Sequence, residues 1–158
     1  DTKFNNGLPR NLSAAKGEDS YLYHGLKALQ ISSSAWTAEA LKNTTPASIF
    51  SRSTECHNQD KVSMGTIAAR DCLRVLKLTE QVAASALLAA TQGLELRKRQ
   101  GDVADEFLAE NLQEMKKSVF AEFDFLDEDR PLEHTLRKFI GLIQQQHWTL
   151  YQDKSMSN

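Results

Sequence analysis

Cysteine is nearly absent: Cys56 and Cys72 are the only two in 158 residues, and they lie sixteen positions apart with no Cys-x-x-Cys. A disulfide scaffold or a thiolate zinc site needs more sulfur in closer register, so neither is expected, and a reducing cytoplasmic setting is. Long apolar runs are missing too, none approaching the roughly 20 residues that a membrane-spanning helix requires. The opening residues carry no secretion-signal pattern. Charge of one sign is also lacking. Lys and Arg number 19 against 21 Asp and Glu, a net charge of −2 and a pI near 6.1. That balance gives no electrostatic footprint for nucleic acid or an anionic membrane surface. The basic cluster LRKRQ, residues 96–100, is followed by Asp102, Asp105 and Glu106 and reads as a solvated helix end.

Proline is scarce, with only Pro9, Pro46 and Pro131, so long stretches lack a helix breaker. With 41% apolar and 25% charged residues, the chain suits one domain, residues 1–158. Residues 1–16 are turn-rich around Asn5, Asn6, Gly7 and Pro9. Residues 17–152 read as helices, and 153–158 as a frayed tail. Apolar spacing predicts a helix over 18–43, an extended connection over 44–54, and a very long helix over 59–99, with Gly65 and Gly93 as possible kinks. A helix over 106–123 places Phe107, Leu108, Leu112, Met115 and Val119 on one stripe. A last helix over 132–151 follows Arg130-Pro131.

No strand is expected. The class is all-α: long antiparallel helices forming part of an elongated bundle. A continuous helix of about 40 residues measures about 60 Å. A compact globule of this size has a radius of gyration of only about 15 Å. Yet residues 82–91, VAASALLAAT, are apolar or small all round, as in helices enclosed on every side. The long helix is therefore expected to pack against other subunits or further sequence.

The polar run STECHNQDKVSMG, residues 53–65, precedes that helix. If the helix starts near Thr54, then Glu55, Asn58 and Gln59 fall on one face at i, i+3 and i+4. A carboxylate and two amides in one turn can hold the ammonium and carboxylate groups of an amino acid, and free N–H groups at a helix start attract an anion. An ordinary polar helix start explains the same spacing. Cys56 and His57, adjacent on a helix, do not converge on one metal ion or form a nucleophile pair. No metal is expected, and His24, His134 and His147 lack ligand-spaced partners.

The residues themselves carry a resemblance. STECHNQDKVSMGTIAARDCLRVLKLTEQVAASALLAATQGLELR is similar to the aromatic amino-acid ammonia-lyases, a family of histidine, phenylalanine and tyrosine ammonia-lyases and related aminomutases. FNNGLPRNL, residues 4–12, resembles a second family motif at the expected distance upstream, and LDEDRPL, residues 126–132, a third.

This resemblance implies a helical homotetramer whose long helices form a central bundle. It also implies elimination of ammonia from an aromatic amino acid to give an arylacrylate. The electrophile is a methylidene-imidazolone made from an internal Ala-Ser-Gly, and a tyrosine is the base. Neither the tripeptide nor a matching tyrosine occurs in these 158 residues. The chain is thus expected to be the C-terminal portion of such an enzyme, inactive alone, with its catalytic residues elsewhere. By the resemblance, Glu55 and Gln59 attend the substrate amine and Asn58 lines the pocket. The run His57-Asn58-Gln59-Asp60 follows the phenylalanine/tyrosine type, whereas the following KVSMG is nearer the histidine type. A non-catalytic helical assembly module or degenerate relative, and an aromatic amino-acid aminomutase segment, are the alternatives.

Overall fold

The computed structural model describes residues 3–59 and 61–148. Among these the fold is helical without strands, as expected. Four α-helices, α1 (Lys27–Lys42), α2 (Gly65–Gln100), α3 (Glu110–Phe120) and α4 (Glu133–Gln144), are joined by loops and short 3₁₀ turns.

The spine is α2, whose 36 residues extend about 54 Å at 1.5 Å per residue. It runs without a break through Gly93, against which Leu8 and Leu12 lie. It ends where Gly101 turns left-handed at φ 82°, with the Gly101 and Asp102 N–H groups donating to the Lys98 and Arg97 carbonyls. Arg97, Lys98 and Arg99 occupy the last turn, where the helix dipole favours cations.

Several helix boundaries differ from the sequence expectation: α2 starts at Gly65 rather than near residue 59, and three others have identifiable causes. The helix expected over 18–43 begins only at Lys27. Residues Glu18–Leu22 form a 3₁₀ turn, Tyr23 is extended, and Gly25 is left-handed at φ 54°. A Cβ on Gly25 would stand 2.6 Å from the Asn11 carbonyl oxygen, so no other residue fits there undisturbed. The helix expected over 106–123 begins at Glu110, because the Gln113 side-chain amide donates to the Asp105 and Leu108 carbonyls and holds them outside the helix (2.8 and 2.9 Å). Phe107 is accordingly 80% exposed rather than part of the buried stripe.

The last helix stops at Gln144. Gln146 is left-handed at φ 53°, and the N–H groups of Gln146 and His147 close onto the Ile143 and Leu142 carbonyls. The end of the expected helix, residues 149–151, and the tail at 153–158 lie outside the described residues.

The core gathers Leu26 and Leu29, Ala84 and Leu88 of α2, Val119 and Phe123, Leu126, and Phe139 of α4. Phe139 is fully buried and stacks on Trp148 at 5.5 Å between ring centroids. At the C-terminal end of α2, ion pairs fasten α3. Lys116 lies between Glu95 and Asp105 at 2.9 and 3.0 Å, and Lys98 and Arg99 pair with Asp105 and Glu95. Residues 82–91 are not enclosed on every side within this chain. Ala84, Ser85, Leu88 and Thr91 are buried, whereas Ala83, Ala86 and Ala90 face outward.

Candidate functional site

Glu55, Asn58 and Gln59 do not lie on a helix. The chain between the 3₁₀ turn Ala47–Phe50 and α2 forms a narrow loop, closed at two levels. At its base Ser51, 4% exposed, donates its hydroxyl to the Val62 carbonyl and accepts from the Val62 N–H, both at 2.9 Å. Further out, Thr54 and Gln59 pair antiparallel through their backbones, N–H to carbonyl at 3.0 and 3.4 Å. The Thr54 hydroxyl also donates to Gln59 Oε1 at 3.2 Å.

Between that pair, Glu55, Cys56 and His57 all sit at positive φ, 53°, 54° and 68°. A helical start near Thr54, on which the i, i+3, i+4 grouping depended, cannot form, because three successive left-handed residues are incompatible with right-handed helix. Histidine tolerates this region better than most residues, but Glu55 and Cys56 gain nothing intrinsic there. Left-handed non-glycine conformations cost on the order of 1–3 kcal/mol each, and they persist where the surroundings over-determine them. Here the Ser51 staple, the Thr54–Gln59 pair and a 2.8 Å contact between Ser53 Oγ and His57 Nδ1 do so.

The loop still brings the three residues together. The Asn58 N–H donates to the Glu55 carbonyl at 3.0 Å, and Asn58 Nδ2 reaches Glu55 Oε2 at 3.4 Å. Gln59 follows directly, and all three are exposed. The start of α2 is six positions beyond Gln59 at Gly65, whose N–H is taken by the Ser63 hydroxyl at 3.3 Å. The helix terminus therefore does not adjoin the trio as a helical start would have placed it. Two clefts, of about 480 and 520 Å³, are lined by other residues, including Trp36, Gln81 and Ile140 in the first and Asn5, Leu26 and Val82 in the second. Among the described residues no cluster of three or more His, Cys, Asp or Glu could hold a metal ion.

The other two motif-like segments meet on α2. Gln92, fully buried, donates from Nε2 to the Leu12 and Leu126 carbonyls at 3.1 and 2.9 Å, and its Oε1 accepts the Leu126 N–H at 3.0 Å. Asp129 accepts the N–H groups of His24 and Gly25 at 2.7 and 2.8 Å, and the Leu26 N–H donates to the Asn11 carbonyl. Burial alone would raise the Asp129 carboxyl, but these two N–H donors outweigh it and hold it below the usual carboxylate range. Arg97 and Gln100 bond the Asn6 and Gly7 carbonyls. The segments at 4–12 and 126–132 thus lock the fold at one end of α2, while the polar loop leads into its other end. Sequence reasoning missed Gln92 and Ser51, since nothing in a lone polar letter announces a distant backbone partner.

Comparison with known proteins decides the family. The aromatic amino acid lyase model matches residues 1–119. The chain belongs to the aromatic amino acid lyase family. It is 36% identical over 136 residues to a tyrosine ammonia-lyase of Cereibacter sphaeroides, covering 84% of this chain and 24% of that protein. Against a histidine ammonia-lyase of Desulfotalea psychrophila the identity is 33%, over 87% of this chain and 25% of the relative. The solved tyrosine aminomutase of Streptomyces globisporus superposes with a TM-score of 0.80 at 25% identity, over 96% of this chain and 28% of that one. As a member of the aromatic amino acid lyases, the chain spans about a quarter of the length of these relatives. No helix among the described residues is long and apolar enough to cross a membrane.

Proposed function

We propose that this chain is the C-terminal part of an enzyme that eliminates ammonia from an aromatic amino acid, with Glu55, Asn58 and Gln59 forming one wall of the substrate pocket. The observation that carries the reading is the loop itself. A strained, doubly closed turn presents a carboxylate and two amides outward, away from the core of its own chain. Backbone strain of this kind concentrates at functional sites. The Glu55 carboxylate suits an ammonium group, and the amides of Asn58 and Gln59 accept from an amine or donate to a carboxylate.

The electrophile of the reading is a methylidene-imidazolone, which activates the substrate for loss of ammonia. No Ala-Ser-Gly from which it forms is present here, so it belongs to sequence outside this chain. What these residues contribute is orientation of the amino group. The His57-Asn58-Gln59-Asp60 run favours phenylalanine or tyrosine over histidine. Relatives named as phenylalanine aminomutases make an aminomutase the second reading of the same pocket.

Assembly into a homotetramer fits the outer face of α2. There Ala69, Leu73, Leu76, Ala83 and Ala90 fall at coiled-coil spacing and are exposed, Leu73 and Leu76 by 59% and 53%.

The test is arylacrylate formation from Phe, Tyr and His by the protein expressed with the sequence that precedes Asp1 in its reading frame. Activity is expected from the whole protein and none from residues 1–158 alone. Gln59→Ala should lower kcat/KM by about 10- to 100-fold, since a lost orienting hydrogen bond is felt in the transition state. An inactive whole protein without an Ala-Ser-Gly would instead mark a helical assembly module.

A further inference from the structure

We propose that Ser51 is a positioning residue for the Glu55–Gln59 wall; this rests on the pocket reading above. Its hydroxyl does what a pair of strand residues does elsewhere. It satisfies both the N–H and the carbonyl of Val62, eleven positions away, at 2.9 Å each. The next closure toward the tip is the Thr54–Gln59 backbone pair, whose second bond, at 3.4 Å, is long. Beyond it come three left-handed residues that have no intrinsic reason to stay so. The loop belongs to no helix, so the geometry of Glu55, Asn58 and Gln59 depends on how firmly its base is shut.

Ser51 is suited to that task by burial as well as by chemistry. At 4% exposure its hydroxyl is protected from water that would compete for Val62. The exposed tip has no such protection: Ser53, Thr54 and Asn58 make their side-chain bonds in contact with solvent. Opening the base leaves the Val62 N–H and carbonyl without their partner and releases the strained turn to relax. The loop then visits the competent geometry for a smaller fraction of the time. A ligand that binds only that geometry loses apparent affinity by the same fraction.

The experiment compares Ser51→Ala with Ser51→Thr in the protein expressed with its upstream sequence. Amide hydrogen exchange over residues 51–62 is read beside kcat and KM for the aromatic amino acid. Ser51→Ala should speed exchange of the Thr54, Gln59 and Val62 amides by about tenfold or more, the effect of losing both of the hydroxyl's hydrogen bonds. KM should rise about five- to tenfold while kcat changes less than twofold, the signature of a reduced competent population. Ser51→Thr keeps the hydroxyl and should restore slow exchange and the original KM.

Unchanged exchange in Ser51→Ala overturns the staple. Faster exchange with an unchanged KM overturns the positioning role. Failure of the pocket reading looks different: the unsubstituted protein then converts no aromatic amino acid, while loop exchange still reports whether Ser51 holds the loop. Should Ser51→Ala not fold, Ser51→Cys, whose thiol is a much weaker donor and acceptor in the same place, provides the same exchange and KM readings, with the same two outcomes overturning the proposal.

Discussion

Replacing Gln92 by leucine, a side chain of similar length with no polar atoms, tests how the polar segments are locked to α2. Gln92 is 0% exposed and takes part in three hydrogen bonds, to the Leu12 carbonyl, the Leu126 carbonyl and the Leu126 N–H. The substitution leaves one donor and two acceptors without this partner. A buried polar group left unsatisfied costs about 1–3 kcal/mol. Simple addition gives about 3–9 kcal/mol, and relaxation that admits water to the Leu12 side brings the expectation to about 3–5 kcal/mol. Leucine regains part of this by burying apolar surface, at most about 1 kcal/mol for the atoms exchanged.

Global stability of a domain this size is about 5–15 kcal/mol, so Gln92→Leu should remain folded only marginally. Urea unfolding followed by far-ultraviolet circular dichroism should show the midpoint falling by about 1–2 M, for a slope of about 2–3 kcal/mol per M. The Leu126 amide should lose its exchange protection first. A midpoint within about 0.2 M of the original would refute the reasoning, because it would mean that the three bonds add nothing over water.

Two further predictions concern neighbouring features. Gly25→Ala places a Cβ 2.6 Å from the Asn11 carbonyl oxygen at φ 54°, and should cost about 2 kcal/mol or more in the same urea assay. In the charged cluster, burial raises the Glu95 carboxyl, but bonds from Lys116 and Arg99 outweigh it and leave it lowered. Burial likewise pushes Lys116 down, yet Glu95 and Asp105 hold it above its ordinary value. Carboxylates with lowered folded values stabilise above their unfolded range and lose that contribution as pH falls through the folded value. A lysine with a raised value stabilises below its unfolded value and loses that contribution as pH rises through the folded one. Stability should therefore be flat near neutrality, fall below about pH 4.5 and fall again above about pH 10.5. Lys116→Met should flatten the alkaline limb and shrink the acid one in urea titrations across pH.

Helix content was legible because apolar spacing, alanine and leucine richness and scarce proline act locally. The long helix ending near residue 100 follows from that, and Gly101 supplies the stop. The starts were less legible, since they depend on distant partners. Asp129 captures the two N–H groups before α1, and Gln113 holds carbonyls before α3. At the candidate site, helical spacing grouped Glu55, Asn58 and Gln59, and the structure groups them by another route. Their sequence neighbours Cys56 and His57 give no warning of a left-handed turn, because the constraint comes from Ser51, Ser53 and the Thr54–Gln59 pairing. Periodicity reads faces; it does not read closures.

The Asp129 clasp has a consequence for the order of events during synthesis and folding. It joins residues 105 and 104 positions apart, and Gln92 reaches 80 positions back to Leu12. Contacts of such separation close late and slow folding, because the intervening chain must first be organised. On a chain emerging from its N-terminus, the turn before α1 has no clasp until residue 129 has been made. For that interval the N–H groups of His24 and Gly25 wait on a part of the protein that does not yet exist.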